Sequence, residues 1–139
     1  MEFTIYRKSW RRGGTNNGKI VGGVKQLGDT KLLNTCNMFC CLGMIEVQMG
    51  VDPEHLIGIG CPEDVEEDHY PEIKLLVKRD FGALADTKLA TKAININDDK
   101  KITEEKREKH LTALFATRGH KLKFVNREAP KKWQVAEGC

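Results

Sequence analysis

The sequence predicts one α+β domain spanning residues 1–139, with about three helices packed on a small mixed or antiparallel sheet. Three observations carry that expectation. The chain has 139 residues, 40% hydrophobic and 31% charged, which suits one core near the commonest domain size. Apolar residues alternate with polar ones near both ends, around Phe3 and Ile5 and around Leu122 and Phe124, as in half-buried strands. Between them, three segments near 40–49, 87–96 and 104–118 carry helix signals.

Met1 to Trp10, with Tyr6 and Trp10 beside the alternating pair, reads as a short strand. Residues 11–28 hold six glycines, with Asn16 and Asn17 among them, and read as a flexible basic loop or a run of turns. Leu32 and Leu33 look like a strand end, and Asn34 to Asn37 like a turn or helix cap. The segment 40–49 is apolar on nearly every side, which predicts a central buried helix with only Glu46 and Gln48 wet and Gly50 as its left-handed cap. Asp52-Pro53-Glu54 is a short helix start limited by Gly58.

Residues 58–71 form an acidic loop that leads into His69-Tyr70-Pro71, and Ile73 to Val77 a short strand or helical turn. Asp86 is placed to cap a helix with Leu89, Ala93 and Ile96 on one side, broken by Asn97-Asp98-Asp99. Thr103, Glu104 and Glu105 start the last helix, whose stripe is Leu111, Leu114 and Phe115, with Glu105 and Lys109 spaced to pair and Gly119 as the stop. Residues 128–139 are a tail that Trp133 would pin.

The net charge of +3 hides a segregation: net +5 over residues 1–34, net −9 over residues 46–72 and net +7 over residues 73–139. The acidic middle either faces the basic ends or leaves a basic face for an anionic partner, and the first is the plainer reading. The longest apolar run is ended by Gly50, Asp52 and Glu54, too soon for a membrane span, and Met1 to Trp10 lacks the order of a secretory signal. Five cysteines is an odd number in a chain that does not need staples, so reduced thiols and a cytoplasmic location are expected.

Gly13-Gly14-Thr15-Asn16-Asn17-Gly18-Lys19 fits the core of a phosphate-binding P-loop, but Ile20 replaces the metal-binding hydroxyl and the flanking strand and helix are missing. A nucleotide-hydrolysing P-loop is therefore rejected. The loop could still cradle an anion on glycine-freed amides, with Arg11, Arg12 and Lys19 for charge and Trp10 for stacking. Trp10, Arg11, Arg12, Gly13, Gly14 and Lys19 are the candidate ligand contacts.

Cys40 and Cys41 stand where a helix begins, a position that lowers a thiol's pKa. With His69 as base, the best of His55, His69, His110 and His120, either could serve as a nucleophile. Phe39 and Leu42 beside them favour buried, inert thiols. Cys36, Cys40, Cys41, Cys61 and His69 lack the paired short spacings of a zinc site. Asn95, Asn97 and Asp99 begin like a calcium loop, but Lys100 and Lys106 stand where glycine and glutamate are required. No metal or cofactor is expected.

Trp10-Arg11-Arg12-Gly13-Gly14, Leu32-Leu33-Asn34, Cys40-Cys41-Leu42-Gly43 with Gly50-Val51, and Ile94 to Asp99 followed by Thr103-Glu104-Glu105 together resemble a loose family of small bacteriophage and prophage proteins. The resemblance covers about four-fifths of the chain, and Cys-Cys-Leu-Gly is its most distinctive element. The family pattern has glycine in the turn before the cysteines; here Cys36-Asn37 stands there, and asparagine tolerates that left-handed turn. The resemblance implies a phage setting and assigns no activity.

By analogy with small phage accessory proteins, host modulation or counter-defence is the expectation. The leading reading is a binding protein in the bacterial host cytoplasm that sequesters a nucleotide-like anionic ligand or blocks a host protein. The rivals are a cysteine enzyme using Cys40 or Cys41 with His69, and a pure protein-interaction module. A membrane partner is not expected, nucleic acid is less favoured because the net charge is modest, and homo-oligomerisation is left open.

Overall fold

The computed structural model describes residues 1–14, 18–60 and 87–139. Its elements are β1 (Glu2–Tyr6), β2 (Ile20–Val21), β3 (Val24–Lys25), α1 (Cys41–Gln48), α2 (Thr87–Asp98), α3 (Glu104–Ala116) and β4 (Lys121–Val125), an α+β arrangement with three α-helices among the described residues. His69, Cys61, the Asp86 cap, Ile73 to Val77 and most of the acidic loop lie outside the described residues.

The described strands form two separate two-stranded sheets, β1 with β4 in parallel and β2 with β3 antiparallel. β1 runs parallel to β4, with Phe3 opposite Leu122 and Ile5 opposite Phe124, so the two ends of the chain meet. A parallel pair needs a long crossover, and the helices supply it. Phe3, Ile5 and Leu122 point into a core shared with Leu42, Met44, Ile45, Leu111 and Phe115. The far edge of β1 is closed by α1. The Thr4 amide donates to Gln48 Oε1 (2.8 Å), Gln48 Nε2 donates to the Thr4 carbonyl (2.9 Å), and the Tyr6 amide donates to Met44 Sδ (3.3 Å).

The described part of the glycine-rich stretch is more ordered than a mobile loop. β2 and β3 form an antiparallel hairpin turned by Gly22 and Gly23, at φ 55° and 79°. Two consecutive left-handed residues are what the tight hairpin turn requires, which is why glycines stand there. Gln26, fully buried, ties the hairpin down: its Oε1 accepts from the Arg12 amide (2.8 Å).

Before α1, Asn34 Oδ1 accepts from the amides of Cys36 (2.9 Å) and Met38 (3.0 Å), and Asn37 takes the left-handed turn at φ 58°. Leu33 forms isolated bridges to Phe39 and Ile57 rather than ending a strand. Cys40 caps α1, its sulfur accepting from the Gly43 amide (3.4 Å). Gly43 is required by packing, since a Cβ there would overlap the Leu32 carbonyl oxygen. α1 is buried from Cys41 to Glu46, with Val47 and Gln48 half-buried, and Gly50 follows it at φ 102°. Glu46, expected to be wet, is 3% exposed, because the helix is enclosed on that side too. Burial pushes its carboxyl up to about 7.

α2 turns Leu89, Ala90 and Ala93 inward and continues through Asp98 instead of breaking at Asn97. Thr103 caps α3, accepting from the Lys106 amide (3.2 Å), and Gly119 follows that helix at φ 77°. Asp52 caps the 3-10 turn Pro53–Leu56. The tail is held more firmly than by Trp133 alone. Trp133 packs edge-on to Tyr6 and Phe39, Asn37 exchanges two hydrogen bonds with Ala136, and Cys139 is disulfide-bonded to Cys36 with Cα atoms 4.8 Å apart. That bond corrects the expectation of reduced thiols for these two cysteines. No helix of the described residues is long and apolar enough to cross a membrane.

Candidate functional site

The structure turns the aromatic and basic candidates inward. Trp10, Arg11 and Arg12 are 0%, 1% and 1% exposed. The Arg12 guanidinium stacks over the Trp10 ring at 4.4 Å, pairs with Glu104, and donates to the carbonyls of Arg7 (3.1 Å) and Trp10 (2.9 Å). Arg11 donates through Nε to the Gly28 carbonyl (2.7 Å), while its Nη2 has no hydrogen-bond partner among the described residues. Burial pulls both guanidinium pKa values below their ordinary value, against the opposing carboxylates Glu104 for Arg12 and Asp98 for Arg11.

Asn97 organises this interior. Its Oδ1 accepts from Trp10 Nε1 (2.7 Å) and from the Cys41 amide (3.2 Å), and its Nδ2 donates to the Arg11 carbonyl (3.0 Å) and Asp98 Oδ1 (2.9 Å). One amide thus joins the N-terminal segment, the first turn of α1 and the end of α2. Sequence reasoning took Asn97 for a helix breaker. The signal that would have found it is its spacing: it falls on the same face of α2 as Ala90 and Ala93.

Arg107 is the second residue missed. It is 1% exposed on α3 and donates to the carbonyls of Ile96 (2.6 Å), Asn97 (2.9 Å) and Asp99 (2.7 Å), which satisfies the C-terminal end of α2. Glu104 bridges Arg107 and Arg12, and Arg7 makes a two-pronged pair with Glu108 (2.8 and 2.6 Å). The basic N-terminal segment is therefore neutralised largely by α3.

The Gly13 amide already donates to the Asn97 carbonyl (2.8 Å), and the Lys100 side chain packs over Gly14. Lys19 remains exposed, next to the hairpin.

Cys40 and Cys41 are buried free thiols beside a cavity of about 30 Å³, room for about two waters, which Asn97 and Asp98 also line. Desolvation outweighs the helix-start effect: the Cys40 thiol is pushed up to about 12 and that of Cys41 well above its ordinary value. His55 and His110 are exposed, and His120 packs on Phe3. None of these lines the thiol cavity. Among the described residues no group of three or more His, Cys, Asp or Glu could hold a metal ion.

The glycine-rich hairpin and the free cysteines therefore face different spaces. The hairpin walls an open cleft of about 500 Å³. Lys8, from the 3-10 turn Arg7–Ser9 after β1, and Lys25, from β3, are exposed on its walls, with Gly23, Asn37, Gln134 and the Cys36–Cys139 disulfide around them and Glu128 as its acid. The hairpin is fixed to the Lys8 turn through Arg12, whose side chain reaches the Arg7 and Val21 carbonyls. This cleft, lined by two exposed lysines and the amide side chains of Asn37 and Gln134, has the chemistry to hold a small anion. No protein-family model, curated protein or solved structure matches the chain.

Proposed function

We propose that the chain is a non-catalytic accessory protein of phage origin that binds a small nucleotide-like anion in the cleft between the Lys8 turn and the β2–β3 hairpin. The observation that carries this reading is the pairing of Lys8 and Lys25 on one open cleft of about 500 Å³, ligand-sized and built from the glycine-rich segment. Lys8 and Lys25 would meet the charge, and Lys19, exposed beside the same hairpin, would add to it. Trp10, Arg11 and Arg12 would act by holding the two walls rather than by touching the ligand. The phage setting rests on the motif resemblance.

The cysteine-enzyme reading has less support, since the Cys40 and Cys41 thiols are buried and burial raises their pKa values. A thermal-shift screen with inorganic phosphate, pyrophosphate, mononucleotides and cyclic dinucleotides tests the binding reading. A stabilising anion, lost in the Lys8→Glu/Lys25→Glu double variant, is expected. No shift with any anion, or a shift that the double variant retains, would overturn it.

A further inference from the structure

We infer that the outer edge of β4 is a docking edge for an extended acidic peptide, which would join β1 and β4 as a third strand. This surface is separate from the proposed anion cleft, and neither reading depends on the other. The ladder's phase decides which groups are free. The Lys121 amide donates to the Met1 carbonyl (2.9 Å), so in this parallel pair Lys121, Lys123 and Val125 direct their backbone groups toward β1. The amides and carbonyls of Leu122 and Phe124 then face away from β1, and among the described residues no partner takes them.

The two edges of the sheet are treated differently. That of β1 is closed by Gln48 and Met44, which serve the Thr4 and Tyr6 backbone, while among the described residues no group hydrogen-bonds the outer backbone of β4. A two-stranded sheet is marginal, and an open edge is a template for a further strand. Lys121 and Lys123 are exposed on this strand. Lysines on an edge repel a second copy, which would set lysine beside lysine, and complement glutamates or aspartates at alternate positions of an incoming strand. An acidic extended peptide satisfies both the backbone and the charge.

The test uses the whole ¹⁵N-labelled chain and four probes: a peptide alternating Glu and Val, two forms of it N-methylated at alternate amides, one in each register, and a short single-stranded oligonucleotide of similar charge. In the free protein the Leu122 and Phe124 amides should exchange faster than those of Lys123 and Val125. The parent peptide should slow them by about tenfold or more, one N-methylated register should abolish this, and Lys121→Glu/Lys123→Glu should weaken binding at least about tenfold. Absence of binding, or binding that leaves the Leu122 and Phe124 amides unchanged, would overturn the inference. So would equal binding of both N-methylated peptides or of the oligonucleotide, which would mark plain charge attraction. Concentration-dependent self-association that protects the same amides would assign the edge to a second copy and overturn it as well.

Discussion

Replacing Asn97 with leucine tests the centre of the fold. Leucine fills the site without a polar atom, so Trp10 Nε1, the Cys41 amide and the Arg11 carbonyl all lose their partner at once. Each buried polar group left unsatisfied costs about 1–3 kcal/mol, and the losses overlap, so about 3–6 kcal/mol is expected. That is a large share of the roughly 5–15 kcal/mol of a typical domain, and for a chain of this size it lowers Tm by about 10–20 °C. Leucine is preferred to alanine because the adjoining cavity of about 30 Å³ would let water replace a truncated side chain. Urea unfolding of Asn97→Leu, Trp10→Phe and the double variant gives the cycle. The pair should couple by about 1–2 kcal/mol, since removing the indole donor first leaves less for Asn97→Leu to lose. A cost for Asn97→Leu below about 1 kcal/mol would refute the assignment of Asn97 as the junction.

Three further outcomes follow from the same contacts. Glu46 has its folded pKa raised from 4.5 to about 7, so the folded state holds the proton more tightly. Its contribution is fully present below about pH 4.5 and is lost as pH rises through about 7, and the raised pKa of Asp98 acts with the same sign. Glu46→Gln should therefore raise stability at pH 8 by about 2–4 kcal/mol relative to its effect at pH 4, read from urea midpoints. Gly43→Ala should fail to fold or lose well over about 3 kcal/mol, because the added Cβ meets backbone at Leu32 rather than a movable side chain; an unchanged circular-dichroism melt would contradict this. Native protein treated with iodoacetamide at pH 8 should show no label on Cys40 or Cys41 by peptide mass spectrometry, whereas unfolded protein should label fully.

Much of the architecture was legible because it follows from local rules. Thr103 and Gly119 bound α3, Gly50 follows α1, and the strands around Phe3 and Leu122 were marked by alternation. Asn37 at φ 58° matches its expected substitution for a turn glycine. What local rules missed is long-range. Arg11 and Arg12 look like surface cations until their partners are known: Arg12 pairs with Glu104, 92 residues away, and Arg11 reaches the Gly28 carbonyl. Asn97 and Arg107 were hidden for the same reason: each sits at a helix end, where polar residues are ordinary, and its importance comes from what arrives from elsewhere. The disulfide joins residues 103 apart, and an odd cysteine count pointed away from it. The cleft was half visible, since the glycine-rich segment was singled out while Lys8 and Lys25 were not. Turning the arginines inward moved the charge that faces solvent from them to those two lysines.

The most direct test of that relocation is an amide chemical-shift map of the ¹⁵N-labelled chain titrated with inorganic pyrophosphate and with ATP. Saturable shifts are expected at Lys8, Gly23, Val24, Lys25 and Asn37, with Gly13 and Gly14 unmoved. Shifts centred on Gly13 and Gly14, or no saturable shift with either anion, would contradict it.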